Sequence, residues 1–540
     1  MAYIGIDVGT TGSKATVIEK NGAIITSIYH EYDLRFPAPG YVEMRPGDVW
    51  DAVFRALKMC IRDSVYGNDE TLNLPIEQKS SCRIDLLSDY DGDGKVGWLD
   101  GAKCVHARMP KLRTDFYDDK FIYVAGGDHP RLPKPKNTFD ELLGYVKGIA
   151  HMTDGNPQIA FVIGWQINGM DTGYPDTWHI NERMGGYEAY LNMLWEAEKI
   201  GCSVGLHDNF DDAYSGSCAF DEKQIARLPD GSLWKSRSWT RDASYVQGLA
   251  KYIERGPGLQ RIDETIRRYH IREIAHSDVL SWFGIRHDWD KEYPASGIRN
   301  LYRGRYRILE EYAIRGVDMS SEALRYPMVG RMNVNFVEND FFGDCPFDGE
   351  SIPLLSLIYR NAAMYGGDEM RGPGDWGLRL IHNIRKVMWF PWTKKNVDEI
   401  RELTQFFYEL YVPWFLLHRL EVVDYERCGT VQRMTLEDGC KIEADEATEA
   451  YCVVWHGKII AQNECVTCPL NEEKIAFFAN EDTALSYPLE EEWLDEPLFA
   501  RELDYDGTTK EWPYTVRDGM LNVTVRPGLP VIVSRKPIEA

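Results

Sequence analysis

The chain has 540 residues, 44% of them hydrophobic and 27% charged, which is the balance of an ordinary globular protein with room for two to four domains. Sixty-one Lys and Arg stand against 85 Asp and Glu, a net charge of -24, and that acidity argues against nucleic acid or an anionic membrane surface as a partner. No apolar run approaches the ~18 residues of a membrane span. The N-terminus has no basic segment before its apolar stretch, and Asp7 interrupts that stretch; the expected location is cytoplasmic. Eleven cysteines, an odd number spread widely, read as reduced thiols.

The first elements are three short strands, at 3–8, 15–18 and 23–28, with a turn Gly9-Thr-Thr-Gly-Ser-Lys14 after the first and Asn21-Gly22 as a hairpin turn before the third. A turn of small and hydroxyl residues offers backbone N–H groups to phosphate, and a carboxylate at its lip can hold Mg²⁺ through water. A helix is expected over 47–58.

Two stretches, Gly5-Ile-Asp-Val-Gly-Thr-Thr-Gly-Ser-Lys14 and Pro39-Gly-Tyr-Val-Glu-Met-Arg-Pro-Gly-Asp-Val-Trp50, resemble the N-terminus of the FGGY sugar kinases, of the actin-like ATPase (ribonuclease H-like) superfamily. The resemblance implies ATP and Mg²⁺ as ligands, with Asp7, Thr10, Thr11 and Lys14 as phosphate contacts. It stops at residue 58. A second phosphate loop, a catalytic-base aspartate and a Gly-rich adenosine motif are not found downstream, and phosphoryl transfer needs several loops acting together. The hexapeptide Met59-Cys-Ile-Arg-Asp-Ser64 resembles translated sequencing-adapter sequence, so residues 1–58 and the rest read as a chimera joined at 59–64.

A lead-in over 65–114 contains Asp89-Tyr-Asp-Gly-Asp-Gly-Lys-Val-Gly-Trp-Leu-Asp100. It fits the twelve-residue calcium loop, with Asp89, Asp91 and Asp93 at positions 1, 3 and 5, Gly94 at the sharp turn, the Lys95 carbonyl at 7 and Asp100 at 12. A structural Ca²⁺ is expected there, outside an EF-hand helix pair.

From 115 to 400 short apolar runs alternate with helical patterns. The runs are at 121–124, 159–163, 203–206, 272–275, 314–317 and 334–337, and the helices include 186–200 and 246–255. Polar clusters follow the runs: Gly164-Trp-Gln-Ile-Asn168, His207-Asp-Asn-Phe-Asp-Asp212, His276-Ser-Asp-Val-Leu280 and Asp318-Met-Ser-Ser-Glu322. Alternating β and α with polar residues after the strands predicts a (β/α)8 barrel with its site at the C-terminal face. Asp278 and Glu322, after consecutive strands, suit the paired carboxyls of a glycosidase. His207, Asp208, His276, Trp282 and Trp165 are candidates to bind or stack on a sugar. Asp211 and Asp212 read as helix caps or surface charges.

Residues from about 83 onward, through Asp91-Gly-Asp-Gly-Lys-Val-Gly-Trp-Leu-Asp-Gly-Ala102, His207-Asp-Asn209, Ala275-His-Ser-Asp-Val279 and Gly316-Val-Asp-Met-Ser-Ser-Glu-Ala323, resemble the endo-α-N-acetylgalactosaminidase and α-N-acetylgalactosaminidase families of glycoside hydrolases. The resemblance implies a retaining reaction on an α-linked sugar, with Asp278 as nucleophile and Glu322 as acid/base. It also implies a barrel followed by a β-sandwich and preceded by a large β-sandwich domain, whose place the kinase-like segment takes here. The alternatives are an FGGY-type sugar kinase and a non-catalytic carbohydrate-binding barrel.

After a helix over 396–410 the pattern turns to short period-2 segments, at 430–435, 452–455, 458–460 and 521–525, which predict an all-β sandwich over 401–540. That segment has 27 acidic and 13 basic residues, a net of -14, and reads as a solvated acidic surface. Cys465-Val-Thr-Cys468 lacks the second pair a zinc site needs.

Overall fold

The computed structural model describes residues 2–8, 12–19, 23–33, 46–64, 85, 87–90, 92, 94–237, 242–281, 286–322, 328–337, 352–367, 375–390 and 397–537. They fall in two compact units, Met1–Ile76 and Glu77–Ala540.

In the first unit β1 (Ala2–Val8), β2 (Gly12–Glu19) and β3 (Ile24–Glu31) form an antiparallel sheet in that order. Helix α1 (Pro46–Ser64) runs on through the hexapeptide at 59–64. Ala15, Val17 and Ala56 make a small core between helix and sheet, while Ile6, Val8 and Ile24 stay exposed. A three-stranded sheet with one helix covers one face only.

The second unit begins with helix α2 (Trp98–His106) and then builds a parallel barrel. Its strands are β4 (Phe121–Gly126), β5 (Gln158–Ile163), β6 (Cys202–Asn209), β9 (Ile274–Asp278), β10 (Asp318–Glu322), β11 (Val334–Val337) and β12 (Met364–Gly367), closed by β13 (Ile384–Lys386) and β14 (Met388–Phe390). The last two are one strand interrupted at Val387: its first half pairs with β12 and its second with β4. The ring among the described residues is therefore eight strands around. A hairpin of β7 (Asp212–Tyr214) and β8 (Ser244–Val246) is inserted after β6. Strands β4 and β5 are buried at every residue, as parallel strands covered on both faces must be. Between them α3 (Phe139–Met152) starts on a reciprocal Thr138–Glu141 cap. Helix α4 (Gly186–Glu198) precedes β6, and α5 (Leu249–Glu254) and α6 (Pro257–Arg268) precede β9.

Two strands differ from the sequence expectation. The run at 272–275 is displaced to Ile274–Asp278, and the run at 314–317 is the end of helix Tyr306–Ile314 and a turn at Gly316 (φ 75°), with the strand following at Asp318–Glu322. The run at 314–317 marks a helix end, with Ile314 exposed, and its turn, whereas the strands entering the mouth are polar. Strands β12 and β13 were not expected at all. At Gly366 a Cβ would come 2.5 Å from the Arg385 carbonyl, so the closing strands pack on a residue type that reads as a turn.

Beyond helices Val397–Phe406 and Val412–Leu417 the described chain is built of strands, apart from the short helical turns Glu437–Gly439 and Glu491–Leu494. A ten-stranded antiparallel sheet runs from Val422–Cys428 to Thr509–Glu511 at its edges, and Thr483–Pro488, Met520–Val525 and Tyr514–Arg517 form a second sheet. Both share one apolar cluster with the barrel. Among the described residues no helix is long and apolar enough to cross a membrane.

Candidate active site

Strand register builds the mouth of the barrel. His207 pairs with His276 and Asn209 with Asp278 across β6 and β9, and Ser320 and Ser321 of β10 pair with His276 and Ser277. Side chains alternate along a strand, so His207, His276 and Ser320 form one inward layer. One step beyond the Ser321–Ser277 pair, Glu322 joins Asp278 and Asn209 in the layer above. The inward direction is fixed by contacts: the ring of Phe161 on β5 lies 5.3 Å from that of His276, and the His207 and His276 rings stack at 5.1 Å. His276 Nδ1 and Ser320 Oγ are 2.9 Å apart. Asp208, between the layers, faces outward to Arg261 of α6, an ion pair buried at both ends.

His207 stands between the two acids. Donor atoms of His207, His276 and Glu322 lie within 4.8 Å of one another, and so do those of Asp171, His207 and Asp278. The His207 carbonyl accepts from Trp165 Nε1 at 2.7 Å, Gln166 Nε2 at 2.9 Å and the Tyr174 hydroxyl at 3.1 Å, which locks the end of β6. Asn209 Nδ2 donates to Asp278 at 3.2 Å and to Asp212 at 3.1 Å, while its Oδ1 accepts from the amides of Asp211 and Asp212. The Asp278 carboxylate is thus oriented by an amide that is itself held on both sides.

The loop after β5 makes room for this. Gly164 sits at φ 79°, where a Cβ would be 2.2 Å from the Asp128 carbonyl, and only glycine takes both the left-handed backbone and the close approach. Asp128 is held by Asn181 Nδ2 at 2.9 Å and by Arg183 at 3.4 Å. The same loop delivers Asp171, buried, with φ 52°.

Burial dominates the electrostatics. It pulls His207 down to about 4, and burial together with the neighbouring His207 pushes His276 well below its ordinary value; both imidazoles are neutral at pH 7. Asp171 is driven well above the carboxylate range by burial, then by the charges of Asp278, Asp212 and Asp208. Asp212 is raised by burial, with Asp211 adding to it against hydrogen bonds from Ser236, Ser244 and Asn209.

Of the residues singled out in the sequence, the fold brings Asp278, Glu322, His207 and His276 together. Asp208 is turned to Arg261, and Trp165 is wholly buried under His207; a ring with no exposed face supports the strand end and does not stack on a sugar. Trp282 lies outside the described residues. Asp211 and Asp212 are neither caps nor surface charges: both are buried, Asp211 against Arg305 at 2.6 Å and Asp212 against Asn209 and Ser244. Asp171 and Asn209 were missed. Asn209 was legible within His207-Asp-Asn209, but Asp171 sits in a turn with no periodicity to flag it.

In the loop at 89–100, Asp89 accepts from the amides of Gly92 at 2.7 Å and Gly94 at 3.0 Å, and buried Asp100 accepts from those of Tyr90 and Gly97 at the start of α2. Lys95 is exposed, and Asp91 and Asp93 lie outside the described residues. In the first unit Asp7 of β1 pairs with Lys14 of β2 at the mouth of the hairpin, both exposed; Thr10 and Thr11 lie outside the described residues. A cavity of about 270 Å³ lined by Lys120, Ser203, Arg272 and Glu273 is at the opposite, N-terminal ends of the strands, away from the acids.

A family profile described as endo-alpha-N-acetylgalactosaminidase matches residues 133–297, and one described as the N-terminal domain of the FGGY family of carbohydrate kinases matches residues 2–74. The two matches do not overlap. A putative endo-alpha-N-acetylgalactosaminidase of Renibacterium salmoninarum is 28% identical over 224 residues, 39% of this chain and 14% of that protein. A glycerol kinase of Thermococcus gammatolerans is 36% identical over 92 residues, 17% of this chain and 18% of the kinase. The chain thus spans less than a fifth of either relative. Among solved structures, an alpha-N-acetylgalactosaminidase from Bifidobacterium bifidum in its Gal-NHAc-DNJ complex superposes with a TM-score of 0.55 at 18% identity, over 66% of this chain and 63% of that one. At that identity the likeness is one of fold. The kinase-like match ends at residue 74, well before the hydrolase-like one begins at 133.

Proposed function

We propose that the barrel unit is a retaining glycoside hydrolase acting on α-linked sugars, with α-N-acetylgalactosaminides as the substrate class. The observation that carries this is the placement of Asp278 and Glu322 in one layer at the ends of adjacent parallel strands, with His207 within 4.8 Å of each. Adjacent strands are ~4.8 Å apart. That spacing suits the ~5–5.5 Å between carboxyls of retaining enzymes and falls short of the ~6.5–9.5 Å of inverting ones. The matched family profile and the shared fold support the same reading.

In this mechanism Asp278 attacks the anomeric carbon as Glu322 protonates the departing glycosidic oxygen. The glycosyl ester on Asp278 is then cleaved by a water from which Glu322 removes a proton. Asn209 donates to one Asp278 oxygen and so orients the carboxylate for attack. Asp171, whose carboxyl is held above its ordinary range by burial and then by the neighbouring carboxylates, is placed to bond a sugar hydroxyl, and neutral His207 offers its ring nitrogen beside both acids. Asp278→Asn and Glu322→Ala should each lower turnover of aryl α-N-acetylgalactosaminides by about 10²–10⁴-fold. Azide should restore Glu322→Ala and yield the α-glycosyl azide. Wild-type turnover in both variants would sink the assignment, as would sugar binding without any turnover in the native chain.

The oxygen-rich turn at 89–100 suits a structural Ca²⁺, with Asp89, Asp91, Asp93, the Lys95 carbonyl and Asp100 as donors. Calcium at about 100 times its Kd should then stabilise the protein by about 2.7 kcal/mol. An unchanged melting temperature after chelation would remove the ion from the account.

A further inference from the structure

Two loops at the C-terminal end of the barrel meet at a second cluster of donors that the glycosidase reading does not use. Asp176 and His179 come from the loop after β5, and Cys218 from the insertion between β7 and β8. Asp176 Oδ2 is 2.7 Å from His179 Nδ1 and accepts from Cys218 Sγ at 3.2 Å, and the three donor atoms lie within 4.8 Å of one another. The other Asp176 oxygen accepts from the Trp178 amide at 2.8 Å, so Oδ2 is presented to the cluster by a fixed carboxylate. Asp176 is buried while His179 and Cys218 are exposed. The loops are tied beside it by the Tyr214 amide donating to the Tyr174 carbonyl at 2.8 Å, and the Asp176 loop is pinned to α6 by Thr177 and Thr265 at 2.7 Å.

We propose that Asp176, His179 and Cys218 form a binding site for a divalent transition metal of the zinc class, which clamps the loop after β5 to the hairpin insertion. One imidazole nitrogen, one thiolate and one carboxylate oxygen are a mixed, borderline-soft set that selects zinc over calcium or magnesium. Tetrahedral zinc with these ligands separates neighbouring donors by roughly 3.3–3.8 Å. The observed 2.7 and 3.2 Å therefore open by about an ångström or less. In the metal-free arrangement the protons on His179 Nδ1 and Cys218 Sγ occupy the ground between the donors. Binding moves the imidazole proton to Nε2 and releases the thiol proton to solvent, one proton per metal. The fourth position faces solvent and takes a water. The loop that is clamped also bears Asp171.

The test uses the full chain, stripped with a chelator, then titrated with Zn²⁺ against a fluorescent zinc indicator and separately with Co²⁺ in an absorption cell. The wild type should take up one tightly held zinc and show a thiolate-to-cobalt charge-transfer band with a tetrahedral d–d envelope. Cys218→Ser should abolish the charge-transfer band, and His179→Ala should weaken zinc at least tenfold. Cys465→Ser should bind as the wild type does. Both site variants are at exposed positions, and circular dichroism without metal checks their folding. The proposal is overturned if the native chain holds no zinc. It is equally overturned if Cys218→Ser and His179→Ala bind it as tightly, which would locate the ion at another donor group such as His207, His276 and Glu322. None of these readouts depends on glycosidase activity.

Discussion

On β6, successive residues meet opposite conditions. Asp208 points out of the barrel to a guanidinium from α6, and Asp211, just past the strand end, meets Arg305. His207 and Asn209 point inward, where the nearby carboxylates, Asp278, Asp212 and Asp171, are held by an amide or crowd one another. Asp208, Asp211, Asp171 and Asp212 are buried, and Asp278 is half-buried. A buried acid with a cation is an architectural element, because the guanidinium beside it offsets part of the cost of burial, which still raises both carboxyls. A buried acid facing other acids is costly in the resting protein and becomes useful only when a substrate or a proton arrives. The two faces of one strand thus divide shape from chemistry.

The sharpest way to break that division is through its outer half. Removing one partner of a buried ion pair leaves an uncompensated charge, at a cost of about 3–5 kcal/mol. Arg261→Ala also strips the guanidinium from the face of Phe210, 4.2 Å away, so Asp208→Asn is the cleaner probe of charge. Urea unfolding should show Arg261→Ala losing several kcal/mol and Asp208→Asn losing less but in the same direction. If Asp208→Asn is neutral, the outer pair is not holding the strand and the division fails.

The inner half makes a prediction in pH. His207 is pulled down to about 4 in the folded chain, whereas the unfolded chain protonates near pH 6.5. Between those values the unfolded state binds the extra proton. The contribution of His207 is therefore complete above about pH 6.5 and is lost as the pH falls toward 4, by on the order of 3 kcal/mol. His276, shifted the same way, steepens the fall. His207→Gln should flatten the dependence of stability on pH in this window, and an unchanged slope would mean that the ring is not buried neutral.

Much of this was legible in the residues, and the parts that were not share a cause. Strands β4 and β5 are unbroken apolar runs because both faces are covered, and they fall where the sequence puts them. Strand β10, Asp-Met-Ser-Ser-Glu, is buried from Met319 to Glu322 yet reads as a turn, since its inward face lines a polar mouth and not a core. Glu322 was found, one strand assignment late. The geometry of the candidate layer comes from pairing across strands, which no local pattern reports; hence the placement of Asn209 opposite Asp278 emerges only from the register. Asp208 fails as a sugar ligand for the same reason, since period-2 alternation sends neighbours of His207 to the other side. Asp171 needs the whole loop after β5 to be folded before it faces Asp278.

Asp171 also supplies the finest test. Its carboxyl has a raised folded value, so its contribution has the opposite sign to that of His207: it is neutral below about pH 3.8, where both states are protonated, and burial costs stability as the pH rises from there toward the folded value. One oxygen, Oδ1, has no hydrogen-bond partner among the described residues. Asn is isosteric and tolerates the left-handed backbone at φ 52°, so Asp171→Asn removes the charge and little else. At pH 7 it should raise stability, because the penalty of burying the carboxyl is removed, and the gain should vanish near pH 3.5. Activity on the aryl glycoside should fall in the same variant, because a sugar hydroxyl loses the carboxyl it bonds. A variant that gains stability while losing turnover places Asp171 with the inward acids; one that unfolds as readily as Asp208→Asn places it with the outer, architectural set.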